Sequence, residues 1–113
     1  MSKFDEKVAL YLKENERLNL GLDKDLIIKV ARSLGPAIYR ADAETVSCSD
    51  KSEADRLRKN FLKKKLELDL PDEELNKMIK EVCDKLGTSN RRKYRALFYA
   101  LLAKMNNKEG IFA

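Results

Sequence analysis

Apolar residues recur along the chain at the three-to-four-residue spacing that places them on one face of a helix, and this pattern predicts five helices. The first runs from Ser2 to about Asn19, with the Ser2 hydroxyl as its N-terminal cap. The second opens at Asp23 and ends at Gly35, because the proline that follows cannot continue it. Both helices have one apolar and one charged face, so each needs a neighbour to cover its apolar side.

The middle of the chain carries a weaker helical pattern. Residues 36–39 predict a short helical turn, and residues 42–50 form a polar connection rich in Ser, Thr and Asp. A third helix is expected to begin near Ser49 or Ser52 and to continue through Leu66. The polar connection is therefore the part of the chain that we expect to form an ordered loop.

Two further helices are predicted in the C-terminal half. Pro71 starts the fourth helix, which carries acidic residues in its first turn and ends at Gly87. The fifth helix is predicted from about residue 90 to residue 106, with Thr88 or Ser89 as its cap. No run alternates between apolar and polar residues as a half-buried strand does, so we expect no sheet.

The last predicted helix differs from the others because residues 96–103 contain no charged side chain. A helix that is apolar on nearly every side is usually buried, and its alanines permit close approach by a neighbour. The sequence therefore predicts an all-α fold, a compact bundle of about five helices plus a short helical turn, with the C-terminal helix central. The length fits a single helical domain over residues 1–113, with a short tail at residues 107–113.

The amino-acid composition excludes several classes of catalytic and metal-binding site. The chain has no histidine, which removes the commonest general base and the commonest metal ligand. It also has no glycine-rich phosphate motif and no CxxC or HxxxH pair, so we expect no catalytic residue, cofactor or metal. Without a secretory signal, Cys48 and Cys83 are expected to be free thiols. The charged N-terminal segment and the lack of roughly 20 consecutive apolar residues predict a cytoplasmic protein without membrane contact.

The charge is unevenly distributed: residues 1–55 carry a formal net charge of −2 and residues 56–113 carry +7. Clustered Lys and Arg neutralise phosphates, which makes the basic half a candidate anion or nucleic-acid surface. The simpler interpretation is a solvated face. Nucleic acid is not favoured, since cations at the start of the fifth helix oppose its dipole unless an anion binds the free helix N–H groups there. The candidate residues are Arg56, Lys59, Lys63, Lys64, Asn90, Arg91, Arg92 and Arg95.

Arg58 and Lys65 fall inside the apolar arc of the third helix when that helix is drawn at 100° per residue. Long cationic side chains commonly lay their stems over the edge of a core and keep the charged head in water. The other interpretation is that one or both meet a carboxylate, for example from residues 42–44, and so fix the polar connection against the helix.

Several runs of residues occur in a recognisable order over nearly the whole chain. They are GPAIYRAD at 35–42, TV at 45–46, SD at 49–50, KNFL at 59–62, KKL at 64–66, SNR at 89–91 and KYRA at 93–96. These runs resemble a family of short bacterial proteins known only as domain of unknown function 2853, although Lys63 stands where that family would have an apolar residue. The resemblance implies a small all-helical bacterial protein and implies no activity.

The same runs single out Tyr39, Asp42 and Tyr94, together with Asn90, as a candidate polar surface site. A buried aromatic ring with a satisfied hydroxyl is the other interpretation for each tyrosine.

With no catalytic constellation, the sequence favours a small cytoplasmic, non-catalytic interaction or structural module. Such a module acts through a helix surface on a protein partner or on a second copy of itself. The alternative is nucleic-acid or anion binding through the basic third and fifth helices. An enzyme that uses Asp42 and Glu44 is a third class, which is disfavoured because no partner group accompanies these carboxylates.

Overall fold

The computed structural model describes residues 2–112. Met1 and Ala113 lie outside the described residues, and with them the two ends of the predicted domain and the last residue of the predicted tail. Within residues 2–112 the fold is all-α and compact, with six α-helices and no strand. The prediction of an all-α bundle is confirmed.

The first two helices form where the apolar pattern predicts them. Helix α1 spans Lys3–Arg17, and the Ser2 hydroxyl accepts a hydrogen bond from the Asp5 amide at 3.1 Å. Helix α2 spans Lys24–Leu34 and ends at Gly35, whose φ of 58° is a conformation that costs glycine little. The predicted turn is a 3₁₀-helix over Gly35–Tyr39.

The third predicted helix begins at a different cap and has an unexpected geometry. After the short helix α3 at Ala41–Glu44, helix α4 spans Lys51–Arg56 and continues as a π-helix over Leu57–Lys65. The cap is Asp50, whose carboxylate accepts a hydrogen bond from the Ser52 amide at 2.9 Å, rather than Ser49 or Ser52. Hydrogen bonds from the Ser52 hydroxyl and from the Ser52 amide hold the pKa of Asp50 below its ordinary value.

The π-helix changes the angular spacing of side chains in this segment but leaves the predicted apolar residues buried. A π-helix closes i→i+5 hydrogen bonds, so its turn is wider than that of an α-helix. Leu57, Phe61, Leu62 and Leu66 all point to the core, while the three lysines at 63–65 remain exposed. The wide turn thus keeps apolar residues that lie four or five positions apart on one side.

The last two major helices are α5 at Asp72–Leu86 and α6 at Arg95–Met105. The predicted end of α5 at Gly87 is confirmed, but the predicted start of the following helix near residue 90 is wrong. Residues 90–94 are not helical, and Tyr94 rather than Thr88 or Ser89 occupies the capping position. The expectation that Asn90, Arg91 and Arg92 belong to the first turn of this helix is therefore also wrong.

A tertiary contact accounts for the later start of α6. The Val46 amide donates a 2.8 Å hydrogen bond to the Lys93 carbonyl oxygen, and Thr45 and Tyr94 form an antiparallel bridge. These bonds hold residues 93–94 in an extended conformation, with ψ of 131° at Tyr94. An extended backbone cannot join the helix, so α6 begins at the next residue.

The prediction that the C-terminal helix is central is confirmed. Helix α6 contacts α2, α5, α1 and α3. Its buried residues are Ala96, Leu97, Phe98, Ala100, Leu101, Leu102 and Ala103. Because nearly every side of the helix faces another element, it has no charged face to give to solvent.

The segment after α6 packs back onto the core. Glu109–Phe112 form a 3₁₀-helix, and the ring of Phe112 stacks on Phe61 with their centroids 6.3 Å apart. Lys65 lies over the same Phe112 ring, with its Nζ 5.4 Å from the centroid. Lys65 is exposed, in keeping with the interpretation that its stem covers the edge of the core while the ammonium stays in water.

Candidate binding groove

An open groove of about 1180 Å³ separates the chain around α4 from the C-terminal part of α5. One wall consists of residues 41–58, and the other consists of the second half of α5 together with the loop over residues 87–93. The groove is where the structure brings parts of both basic stretches together, and we call it the groove below.

A disulfide bond between Cys48 and Cys83 joins the two walls. The prediction of two free thiols is wrong. The cysteines are 35 positions apart, yet the pairing of residues 45–46 with residues 93–94 carries Cys48 to α5, and the two Cα atoms lie 6.1 Å apart. This separation is normal for a disulfide. Cys48 is exposed and Cys83 is buried, so solvent reaches the bond from one side.

Arg95 fixes the wall formed by the polar connection. Its Nε donates to the Ala43 carbonyl at 2.7 Å, and its two Nη atoms donate to the Thr45 carbonyl at 3.3 Å, to the Tyr99 hydroxyl at 3.3 Å and to the Glu53 carboxylate. Four of its five N–H groups are therefore used within the protein. Arg95 acts here as a structural tie rather than as a free cation.

Glu53 is the acidic half of this tie. It is 5% exposed, and it accepts hydrogen bonds from Arg95 and, at 3.1 Å, from Arg56. Burial by itself lowers the pKa of Arg95, but its hydrogen bonds to Tyr99 and Glu53 outweigh burial and raise that pKa above its ordinary value. Arg95 is therefore charged at neutral pH.

A smaller cavity of about 310 Å³ opens beside this pair. Its lining includes Arg95, Glu53 and Tyr99 together with Asn60 from the π-helix and Asp42. Its polar groups are largely engaged with each other, since Arg95 binds both Glu53 and Tyr99. We therefore take the larger groove as the candidate site.

Lys93 is the second buried charged residue of the groove. It is 7% exposed, and its Nζ donates to the Asn90 carbonyl oxygen at 2.5 Å. Among residues 2–112, no carboxylate lies within 4.0 Å of this ammonium. Asn90 in turn shapes the loop, because its side chain donates to the Leu86 carbonyl and accepts from the Arg92 amide.

The structure gathers only part of the predicted anion surface. Arg56, Asn90 and Arg91 line the groove, and Asp42 of the predicted polar site lines it too. Arg95 lies behind the groove wall in the tie described above. The remaining members of the predicted surface lie outside the groove: Lys59, Lys63, Lys64 and Arg92. Lys63 is paired with Asp72 at 2.6 Å, which lowers the pKa of that carboxyl.

The two predicted tyrosines have different surroundings. Tyr39 is 46% exposed at the end of its 3₁₀-helix, away from the groove. Tyr94 is 3% exposed, and its ring packs against Tyr11 with a centroid distance of 5.2 Å. Tyr39, Asp42 and Tyr94 therefore do not share one surface patch.

Asp42 and Glu44, the two carboxylates considered for an enzyme, have different surroundings. Glu44 binds Lys7 at 2.5 Å and accepts a hydrogen bond from the Tyr11 hydroxyl at 3.0 Å. Burial and the neighbouring carboxylate raise the pKa of Tyr11 far above its ordinary value, so this hydroxyl keeps its proton. Asp42 is exposed at the groove edge.

Arg58 meets carboxylates, as one interpretation of the sequence held. Its partners are Asp55 at 3.1 Å and Asp72 at 3.7 Å, and its Nη1 also donates to the Asn76 side chain at 3.2 Å. The example from residues 42–44 is wrong, because the partners lie on α4 and α5. Arg58 thus ties these two helices together at the groove.

Sequence reasoning missed Lys93, Glu53 and the disulfide as parts of this site. Lys93 lies in the second basic run, but nothing in its neighbours distinguishes it from Arg91 or Arg92. Glu53 lies in the first turn of a helix, where acidic residues are common. Glu53 binds Arg95 across 42 positions and the two cysteines are 35 positions apart, and a single sequence carries no signal for such pairs.

The described residues contain neither a metal site nor a membrane-spanning helix. Within residues 2–112, no group of three or more Cys, Asp or Glu side chains is arranged to hold a metal ion. No helix in the described part of the chain has the length and apolar character needed to cross a membrane.

Comparison with known proteins places the chain in a family. The family model described as "Protein of unknown function (DUF2853)" matches residues 10–110. No curated protein matches the chain. The match covers most of the sequence, and the chain belongs to this family.

Proposed function

From membership in a family without an assigned activity, we propose that this protein is a small non-catalytic binding module and that the groove is where it binds a protein partner. The observation that carries the proposal is that the groove is preformed. Its walls are held by the Arg95–Glu53 pair and by the bridge between Thr45 and Tyr94, which do not depend on redox state, and by the Cys48–Cys83 bond when the thiols are oxidised. A surface held in this way loses little conformational entropy on binding.

The size and chemistry of the groove favour a segment of a protein over a small metabolite. Its volume of about 1180 Å³ exceeds the range of about 300–1,000 Å³ that is usual for small-molecule sites. The lining mixes hydroxyls, cations and carboxylates with apolar groups such as Val46 and Ile79. Mixed surfaces of this kind are typical of non-obligate protein interfaces.

Site-specific photocrosslinking tests this proposal. A benzophenone amino acid would be introduced at Ser49 on one wall and at Thr88 on the other, both of which are exposed. Ser33 is the matched control, because it is an exposed serine outside the groove. After irradiation in native cells, we expect the same discrete adduct from both groove positions and not from Ser33.

The crosslinking outcomes separate the alternatives. An adduct between two copies of this chain would replace the separate partner by a homo-oligomer and contradict the proposal as stated. Adducts of equal yield from Ser33 and from the groove positions, or no adduct from the groove, would also contradict it. Identification of one foreign chain from both walls would support it.

Nucleic-acid binding through the basic helices is the second candidate function. It is supported by four cations, Lys59, Lys64, Arg91 and Arg92, that are exposed and form no salt bridge with other residues of the described chain. It is weakened because Arg56, Arg58, Lys63 and Arg95 are neutralised by the protein's own carboxylates. Titration with duplex and single-stranded nucleic acid at two salt concentrations tests it, since binding through phosphates weakens as salt rises.

The cytoplasmic location stays a proposal, and the disulfide gives it a test. Cytosolic glutathione and thioredoxin keep most thiols reduced, whereas disulfides persist in oxidising compartments. In a cytoplasmic protein we therefore expect Cys48 and Cys83 to be alkylated when cells are lysed in the presence of a thiol reagent. Recovery of the intact disulfide under those conditions would contradict the cytoplasmic location.

A further inference from the structure

The groove contains a buried cation whose charge the protein does not balance. Lys93 is 7% exposed, and within residues 2–112 its one hydrogen-bond acceptor is the Asn90 carbonyl oxygen at 2.5 Å. An ammonium has three N–H donors, so two remain for other acceptors. The chain has 19 acidic residues, yet within the described part none places a carboxylate within 4.0 Å of this ammonium.

Glu53 shows what the same protein does with a buried charge that serves structure alone. Its carboxylate is 5% exposed and is bound by both Arg95 and Arg56. Lysine is almost never fully buried unless it is paired, because removing its charge from water costs several kcal/mol. The absence of a carboxylate beside Lys93 in the described residues therefore points to an anion that comes from outside the chain.

The surroundings of Lys93 suit an oxyanion with several acceptor atoms. Its loop, residues 87–93, contains no acidic residue, and three donor-bearing residues of this loop line the groove: Thr88, Ser89 and Arg91. Ser47 and Ser49 line the facing wall. A phosphate group offers at least three strongly accepting oxygens, which match this set of donors better than the two oxygens of a carboxylate.

The acidic residues of the groove do not fill this position. Glu53 and Asp55 are bound by arginines, and the carboxylate of Asp50 caps α4. Asp42 and Asp84 also line the groove, and neither is within salt-bridge distance of Lys93. The positive potential at the loop is therefore not cancelled by a direct ion pair.

We propose that Lys93, together with Arg91 and the hydroxyls of Thr88 and Ser89, binds a phosphate group of the ligand that enters the groove. This inference rests on the proposed function, because it names the chemistry that the groove recognises. It adds to that function a defined position for the anion. It also explains why the protein tolerates an unbalanced buried charge, since binding sites commonly give up stability for affinity.

Titration with inorganic phosphate at low ionic strength tests the subsite. Amide chemical shifts would be followed by NMR against sodium chloride at matched ionic strength. We expect saturable shifts confined to residues 88–93 and to the facing residues 47–49. Lys93→Met should weaken the phosphate affinity at least tenfold, and Lys93→Arg should retain most of it because the cation is kept.

Arg92→Met is the matched control. Arg92 is adjacent, exposed and outside the groove lining, and its removal changes the net charge by the same amount. We expect Arg92→Met to bind phosphate within about twofold of the parent. Equal affinities for Lys93→Met and Arg92→Met, or no saturable shift in the parent protein, would overturn the proposal.

The thermal unfolding temperature distinguishes a ligand-binding role of Lys93 from a structural role. If Lys93 serves the ligand, Lys93→Met without phosphate should unfold at the same temperature as the parent or higher, because it removes a buried charge. A marked fall in this temperature would assign Lys93 to loop structure and overturn the proposal. If Lys93→Met does not fold, Arg91→Met takes its place, and unchanged phosphate affinity in that variant would count against the subsite.

Two further comparisons identify the source of the phosphate group and distinguish the phosphate subsite from the proposed binding module. A single-stranded oligonucleotide without terminal phosphate that binds more tightly than inorganic phosphate, with the same Lys93 dependence, would identify phosphodiesters as the source. Binding of inorganic phosphate alone would identify a free phosphate or a monoester. Groove-specific crosslinks without phosphate binding would refute the subsite and leave the binding module, whereas phosphate binding without crosslinks would refute only the protein partner.

Discussion

The centre of α6 and the charged residues beside the groove are both buried, yet they are specified in different ways. Phe98 in α6 is fully buried among apolar side chains, and its environment needs only apolar groups of suitable volume. Arg95, three residues earlier, needs particular oxygens of Ala43, Thr45 and Glu53 at hydrogen-bond distance. Apolar packing has no preferred direction, whereas a buried charge depends on exact partners.

The charged residues beside the groove also differ from one another. Arg95 and Lys93 are two residues apart in one basic run, and both are largely buried. Arg95 donates four N–H groups to acceptors within the protein. Within the described residues, Lys93 has one hydrogen-bond acceptor and no carboxylate at salt-bridge distance. Charge clustering in a sequence therefore does not show which cations remain available for a ligand.

The largest effect is expected in the core. Phe98→Ala removes a fully buried ring, and we expect it to lower the free energy of unfolding by about 3–5 kcal/mol. Urea unfolding followed by circular dichroism measures this loss. Lys64→Ala, at an exposed position, is the control and should change stability by less than about 0.5 kcal/mol. A loss below about 1 kcal/mol for Phe98→Ala would show that α6 is not the centre of the core.

The disulfide should contribute the next largest amount. The double variant Cys48→Ser/Cys83→Ser opens a loop of 35 residues, and the gain in entropy of the unfolded chain predicts a loss of about 4 kcal/mol. The free energy of unfolding of the variant would be compared with that of the oxidised parent. The reduced parent is the control and should match the variant. Equal stability of the oxidised and reduced parent would refute the predicted contribution of this bond.

Breaking the Arg95–Glu53 pair should have a smaller effect. Arg95→Met leaves Glu53 buried with Arg56 as its remaining partner, so we expect a loss of about 2 kcal/mol, below the range of about 3–5 kcal/mol for a wholly unpaired buried charge. Adding Glu53→Gln should recover part of this loss. Urea unfolding of the two single variants and the double variant gives the coupling energy. Strictly additive losses would indicate that the two side chains do not stabilise one another.

Much of the fold could be predicted from the sequence because helix signals are local. Ser2, Gly35 and Gly87 mark helix ends through caps and backbone conformation, and each acts within a few residues of its own position. The charge-free segment at 96–103 likewise identified the buried helix. The π-helix was not predictable in this way, since the lysines at 63–65 interrupt the apolar pattern that the wide turn restores.

The candidate site could be predicted only in part. Arg56, Asn90 and Arg91 belong to basic runs that the sequence shows plainly, and they do line the groove. The pairing of residues 45–46 with 93–94 joins positions almost 50 residues apart. It delays the start of α6 and carries Cys48 to Cys83. Local propensity gives no information about such contacts.

The sequence by itself determined that the chain is helical, where most helices lie, and which helix is buried, because helix formation and apolar burial follow from residues near one another. Long-range packing decides which charges are neutralised, which cysteines meet and which cation faces the groove with no carboxylate of residues 2–112 beside it. These outcomes depend on directional contacts between distant segments, and the physical reason is that a hydrogen bond or an ion pair acts over a few ångströms whatever the separation along the chain.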